Sequence, residues 1–329
     1  MASLHDVARL AGVSKSTVSR VINNEYGVKE ATKLKVMKAV DEVGYVVNQV
    51  AKDLKSQKTN LVGVIVPRVS SNATSQGVDG LSRIFEKAGK HVLLASTQQS
   101  DSKEIEFIRL FNQKRVEGIV LYATHIDTQL VEAISQSRAP IVLIGQDGSL
   151  FNIPSIVHDD LRVGYEAGKR LLNAGCENIG FIGVADSDLA VDKLRSDGLK
   201  QALTMHSEQE LLFHCHGEFS IESGYANMRR LIKEYPQVDG VFCATDRIAI
   251  GAIKALQEEN IVVGEQVKIL GVGNDELGFV VSPSLSTFSY PFDKAGESGA
   301  DVLLELIEGK PQVMSCLLYT SDAADEVLG

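Results

Sequence analysis

Apolar positions follow a helical spacing over the first 45 residues. From residue 61 they switch to short β-branched runs separated by amphipathic stretches. Leu4–Leu10 is expected to be a helix with Leu4, Val7, Ala8 and Leu10 apolar, N-capped by Ser3. Ala11-Gly12-Val13-Ser14 reads as a tight turn, with Gly12 supplying a permissive backbone and Ser14 a cap for the next helix. That helix, Lys15–Asn23, turns Val18, Val21 and Ile22 inward and leaves Lys15, Ser16, Thr17, Ser19 and Arg20 available. After a break at Asn23–Gly27, a third helix over Lys29–Val43 carries Ala31, Leu34, Val36, Met37 and Val40 and stops at Gly44.

Beyond a polar, basic connector at 48–58, strand and helix patterns alternate. Strands are predicted at Leu61–Pro67, His91–Ala95, Gly118–Tyr122, Pro140–Gly145, Asn178–Gly183, Leu211–His214, Gly240–Cys243 and Lys268–Gly273. Helices are predicted at Gly77–Ala88, Lys103–Lys114, Leu130–Gln136, Asp160–Ala174, Asp197–Met205, Ser223–Glu234 and Asp246–Glu258. Such alternation means right-handed βαβ units in doubly wound parallel sheets. There are too many strands for one mononucleotide-type lobe, so two similar α/β lobes flanking a cleft are expected. The divisions are an all-α helix-turn-helix head at 1–47, a hinge helix and linker at 48–60, a two-lobed periplasmic-binding-protein-like core at 61–315, and a tail at 316–329.

Charge sharpens this division. The chain carries −10 overall, but residues 1–58 hold ten Lys/Arg against six Asp/Glu, leaving the remainder strongly acidic. Attraction to a polyanion is therefore expected from the head alone. The 44% hydrophobic and 23% charged composition is that of a soluble globular protein, and no apolar run is long enough to span a membrane. With no secretory signal pattern at residues 1–6 and four scattered cysteines lacking a CxxC pair, a reduced, cytoplasmic protein is expected.

The string Asp6-Val-Ala-Arg-Leu-Ala-Gly-Val-Ser-Lys-Ser-Thr-Val-Ser-Arg-Val-Ile-Asn23 is the strongest chemical signal. A polar helix entered through a glycine turn suits the major groove, where each base pair presents its own donor and acceptor pattern. Ser14, Lys15 and Ser16 lie at the N-terminal end of that helix, where base edges are met. Arg20 and Asn23 follow one and two turns on, and Thr17 and Ser19 are hydroxyl donors for phosphates. This string, and nearly the whole chain behind it, resembles the lactose-repressor (LacI/GalR) family. The resemblance implies that Lys15 and Ser16 read bases. It also implies that Tyr45–Leu54 folds as a hinge helix on DNA, with Asn48 and Ala51 beside a Leu54 wedged into the minor groove. Val47 departs from the family, where many members carry proline before the asparagine; this loosens the hinge.

Loops at strand ends supply a second candidate site: Arg68; Gln146 and Asp147; Asp186 and Asp188, with Arg195 on the following helix; Thr245 and Asp246; Asn274 and Asp275. The resemblance assigns Arg195, Thr245-Asp246 and Asn274-Asp275 to effector contact or cleft order. Within the family, Ser14–Arg20, Cys243-Ala-Thr-Asp246 and Val272-Gly-Asn274 resemble the trehalose operon repressor. Met1–Ser19 and Val64–Ser71 are still more similar to sucrose operon repressors. Arg68 and Arg195 could grip a phosphate, but an arginine fork suits paired hydroxyls equally, so sugar and sugar phosphate both stay open.

No GxSxG, P-loop or HExxH occurs, and Gly271-Val-Gly273 lacks the third glycine of a dinucleotide fingerprint. No catalytic residues, no cofactor and no enzyme activity are therefore expected. In His214-Cys215-His216, strand alternation places the cysteine opposite the two histidines, so no metal site is assigned. A secreted sugar-binding protein would share this core; the head, the connector and the absent signal pattern argue against it. A repressor released by a sugar is the main expectation, with a sugar-responsive activator or corepressed regulator as the alternative. One reading helix contacts few bases, so a two-fold dimer on a near-palindromic operator is expected, assembled through the faces of 77–88 and 248–258. No leucine-heptad run follows the core to favour a tetramer. Ser315–Glu326 resembles a translated sequencing-adapter read, so residues from 316 are expected to be foreign and the last native strand absent.

Overall fold

The computed structural model describes residues 3–23, 25–45, 59–207, 209–310 and the backbone of 315–318. The chain divides into two compact units, Met1–Thr59 and Asn60–Gly329. Asn48, Ala51 and Leu54, expected to form the hinge helix, lie outside the described residues.

In the head, α1 (Leu4–Ala11), α2 (Lys15–Ile22) and α3 (Glu30–Val43) surround a small core of Val7, Ala8, Val18, Val21, Val36 and Ala39. Ser3 starts α1: its backbone N–H and hydroxyl both donate to the Asp6 carboxylate, at 3.0 and 2.7 Å. Gly12 ends α1 at φ 65°, the left-handed conformation that lets the chain turn at once into α2. The apolar residues of α3 do not all turn inward. Leu34 and Met37 are exposed, because the buried stripe runs instead through Val36 and Ala39.

The core holds two parallel sheets. One contains β1 (Leu61–Val66), β2 (His91–Ser96), β3 (Gly118–Tyr122), β4 (Ile141–Ile144) and β5 (Ser155–His158), with β11 (Ser315–Leu318) at its edge, in the order β11-β5-β4-β3-β1-β2. The other contains β6 (Ile179–Ile182), β7 (Phe213–Cys215), β8 (Gly240–Cys243), β9 (Lys268–Val272) and β10 (Ser286–Phe288), in the order β10-β9-β8-β6-β7. Strands β1, β3, β4, β6 and β8 are buried almost throughout, which explains their unbroken apolar runs. The chain leaves the first sheet after β5 and returns between β10 and the final helix, so among the described residues the chain crosses between the lobes at residues 158–160 and 288–292. The position of the strand expected to be absent is taken by β11, which pairs in parallel with β5 from Ser315↔Ser155 to Leu318↔His158.

Helices flank the sheets: α4 (Asn72–Lys87), α5 (Asp101–Gln113), α6 (Thr128–Ser135), α7 (Asp160–Asn173), α8 (Arg195–Ser207), α9 (Ile221–Glu234), α10 (Asp246–Glu258), α11 (Leu277–Val280) and α12 (Phe292–Ile307). Three pairs cross at backbone distance through glycines. Gly164 faces the Arg195 carbonyl, with Gly198 on that of Leu161; Gly224 faces Ile248, with Gly251 on Ile221; Gly80 faces Asp293, with Gly296 on Gly77. The glycine edges of α4 and α10, both expected to serve assembly, are therefore already covered by the chain's own α12 and α9.

A Cβ on Gly251 would lie 2.0 Å from the Ile221 carbonyl oxygen, so Gly251→Ala must push α9 and α10 apart. The expected destabilisation is about 1–3 kcal/mol, read from the urea midpoint of the full chain; an unchanged midpoint would contradict this packing.

Candidate functional site

Two surfaces carry chemistry. On the head, Ser14 caps α2 by accepting the Thr17 N–H at 3.2 Å, while its hydroxyl lies 2.7 Å from that of Ser16 and 2.8 Å from that of Thr17. Lys15, Ser16 and Arg20 are exposed, and one helical turn separates Ser16 from Arg20. Neither Lys15 nor Arg20 has an ion-pair partner among the described residues. Ser19 and Asn23 are half-buried and bonded to each other at 3.3 Å. The head thus offers free cations on a rigid, capped helix, which suits a polyanion with readable edges.

The second surface is a cavity of about 210 Å³ between the carboxyl ends of the two sheets. Of the ten residues expected there, Arg68, Gln146, Asp188, Arg195, Thr245, Asp246 and Asp275 line it. Asp147 does not; its carboxylate accepts the Ser149 N–H at 2.9 Å and the Ser155 hydroxyl at 3.4 Å within its own loop. Asn274 is also outside the lining, exposed and held at φ 50° with its N–H on Thr287. Asp188 lines the cavity, whereas Asp186 is exposed away from it.

Arg195 forms the floor. It is 5% exposed, its Nε and Nη2 each lie 2.7 Å from Asp160 Oδ1, and Nη1 donates to the Ala244 carbonyl. The Tyr290 hydroxyl donates to that same Asp160 oxygen at 2.7 Å, and the guanidinium lies 5.2 Å from the Tyr290 ring centroid. Burial opposes the charge on Arg195, but Asp160 outweighs it and holds the group above its ordinary pKa. His158 stacks on Tyr290 at 4.3 Å and 8° between planes. Because Asp160 and His158 sit at one interlobe crossing and Tyr290 at the other, this cluster ties both crossings to the end of β8.

Among the described residues, polar contacts of Arg68, Gln146 and His125 span the two lobes. Arg68 donates to the Phe219 carbonyl at 2.8 Å and covers the Phe219 ring at 5.2 Å. Gln146 donates to Asp188 at 2.9 Å, and His125 Nδ1 lies 3.2 Å from the Ser187 carbonyl oxygen. The cleft is accordingly drawn closed by links that an opening motion must break.

Its electrostatics follow from burial. Burial raises Asp246 to about 6, against the Thr287 hydroxyl at 2.5 Å and the Asp275 N–H at 2.7 Å, which favour its charged form. Burial also raises Asp188 and lowers Arg68. His158 falls to about 4 because burial penalises its cation. Asp160, Tyr290 and His158 escaped the sequence reading of the site. His158 follows a short apolar run, Ile156-Val157, and recognising β5 would have put it at a strand's carboxyl end.

Comparison with known proteins shows the family to which the chain belongs. The model of bacterial regulatory proteins of the lacI family matches residues 3–48, and that of the periplasmic binding protein-like domain matches residues 169–322. The chain is 33% identical over 308 residues to the sucrose operon repressor of Staphylococcus xylosus, with 94% of each chain covered. It is 30% identical to catabolite control protein A of Priestia megaterium, with 89% of each covered. Its fold matches the lac repressor dimer bound to operator and the anti-inducer ONPF at TM-score 0.91 and 25% identity, over 99% of this chain and 98% of that one. It also matches a complex of the transcriptional regulator CelR with cellobiose at TM-score 0.74 and 26% identity, over 99% of both.

Arg195→Ala would leave Asp160, itself 4% exposed, without its main partner. The expected loss is about 3–5 kcal/mol in chemical denaturation, and a loss below 1 kcal/mol would contradict the pair's structural role. His158 contributes stability that is complete above its ordinary 6.5 and is lost as the pH falls toward about 4, because the unfolded chain takes up the proton first. In His158→Gln the acid-side decline between those values should shrink by on the order of 1–3 kcal/mol. Parallel stability–pH curves for the two proteins would contradict it.

Proposed function

The chain belongs to the LacI family of bacterial regulatory proteins, and from that premise we propose that it represses a sugar-utilisation operon and is released from its operator by a sugar in the cleft. It is a DNA-binding transcription regulator and not an enzyme. The observation that carries the finer reading is the pairing, in one chain, of the exposed α2 face with a latched polar cleft.

In this reading Lys15 and Ser16 read bases, Arg20 meets a guanine or phosphate, and Ser14, Thr17, Ser19 and Asn23 fix the helix against the backbone. Asn48, Ala51 and Leu54 form the minor-groove hinge. The protein works as a cytoplasmic homodimer on a near-palindromic site, which multiplies the selectivity of a single reading helix. Residues from 316 onward are foreign to the native gene, which resequencing of the locus tests.

The cleft favours a neutral sugar over a sugar phosphate. Asp160, Asp188, Asp246 and Asp275 all line it, while Arg195 is occupied by Asp160, Arg247 by Asp275 and Arg68 by the Phe219 carbonyl. Carboxylates accept sugar hydroxyls and repel a phosphate dianion. The relatedness to a sucrose operon repressor makes sucrose the first candidate.

Two experiments test this. In selection from random DNA, the Lys15→Ala/Ser16→Ala double variant should recover a different consensus from the parent, and an unchanged consensus would remove those residues from base reading. In a melting screen of sucrose, trehalose, fructose and their phosphates, a free sugar at 100 times its Kd should add about 2.7 kcal/mol of stability. Stabilisation by a phosphate alone would reverse the assignment of the ligand's charge.

A further inference from the structure

Among the described residues outside the cleft and the reading helix, one side-chain cluster has the makings of a ligand site. Asp192, His214 and His216 each offer one ligand atom, and these atoms all lie within 4.8 Å of one another. Asp192 Oδ2 is 3.0 Å from His214 Nε2, and Oδ1 is 3.4 Å from His216 Nδ1, which also lies 3.1 Å from the Val184 carbonyl oxygen and must give up that contact to take a metal. Two imidazoles and a carboxylate around a tetrahedral ion, at bonds of roughly 2.0–2.2 Å, would stand about 3.3 Å apart. The two histidine–carboxylate distances are near that spacing, while the three ligand atoms, within 4.8 Å of one another, must draw together to close on an ion.

The backbone is shaped around it. His214 lies in β7 and His216 just past its end, two positions on, while Cys215 between them is buried. That alternation argued against a His-Cys-His site, and it supplies two of three ligands once a carboxylate arrives from elsewhere. Asp192 comes from a π-helical turn, Leu189–Leu194, a geometry concentrated at functional sites. A Cβ on Gly183 would lie 1.9 Å from Asp192 Oδ1, so the carboxylate occupies space that only glycine leaves. The Val184 N–H donates to Asp192 Oδ1 at 3.0 Å and orients it, as outer partners orient metal-bound carboxylates. Asp192 is 2% exposed while the His216 side chain is 49% exposed, so the site is anchored inside and open to water on one flank.

We propose that Asp192, His214 and His216 bind a divalent late transition-metal ion, Zn²⁺ foremost, with solvent completing the coordination. Two neutral imidazoles select such an ion over Mg²⁺ or Ca²⁺, which prefer oxygen donors throughout. Asp192 shares its π-helical turn with Ala190 and Val191, both lining the effector cleft, so a bound ion holds a segment that the sugar also meets. The site itself does not depend on which effector the cleft takes.

The test uses the full chain, stripped with EDTA and kept reduced, titrated with Co²⁺ and followed by visible absorption; Zn²⁺ is then added as competitor. One Co²⁺ per chain is expected, with d–d bands, no thiolate charge-transfer band, and displacement by Zn²⁺. His216→Gln, at a half-exposed position, and His214→Gln should each weaken binding about tenfold or more while the far-UV circular dichroism stays unchanged. Absence of Co²⁺ binding at micromolar concentration, equal binding in His216→Gln, or a thiolate band would overturn the proposal. In each case Asp192 would then serve only as hydrogen-bond partner of His214, with His216 on the Val184 carbonyl.

Discussion

A guanidinium taken fully out of water is tolerated only where a carboxylate meets it, and Arg195 with Asp160 is that arrangement here. The pair sits where the chain first passes between lobes. Tyr290, at the return crossing, donates to the same carboxylate, and the Ala244 carbonyl at the end of β8 accepts from the guanidinium. One buried charge pair thus fixes the relation of both crossings to the sheet whose ends line the cleft. The interlobe contacts of Arg68, Gln146 and His125 close over this floor, and each is a single polar link. A strong floor beneath weak latches is the mechanical form a cleft needs if ligand occupancy is to reset the lobes.

Much of the fold was legible because the physics that makes it is local. The bounds of β3, β8 and α10 coincide with the sequence expectation: Gly118–Tyr122 and Gly240–Cys243 are unbroken apolar runs, and Thr245 caps α10 by accepting from Ile248. Strands β5 and β10 were missed because Ser155–His158 and Ser286–Phe288 are short and partly polar, and only pairing with β4 and β9 makes them strands. The π-helical turn carrying Asp192 was hidden for a related reason: Asp192 is fixed by the distant Val184 and by strand β7, not by its own neighbours.

The site divided along the same line. Residues just after fully apolar strands, such as Arg68, Gln146 and Asp246, entered the cleft as strand-end geometry requires. Asp147 and Asn274 share those loops but answer to local demands, a turn for Asp147 and a left-handed backbone for Asn274. On the head, the expectation needed only a capped helix after a glycine turn, which a short string of residues can specify alone. Asp160 and Tyr290 lie 130 residues apart in sequence, and no local pattern announces their meeting.

The central claim is that cleft and reading helix act on one equilibrium, so that a sugar and an operator oppose each other's binding. Such coupling must be reciprocal. The direct measurement is the affinity of the full chain for its selected operator by fluorescence anisotropy, across a titration of the sugar that raises its melting temperature, paired with sugar affinity measured with and without operator. The account predicts that each ligand weakens the other by the same factor, at least about fivefold. Saturation of the cleft with operator affinity unchanged would contradict it.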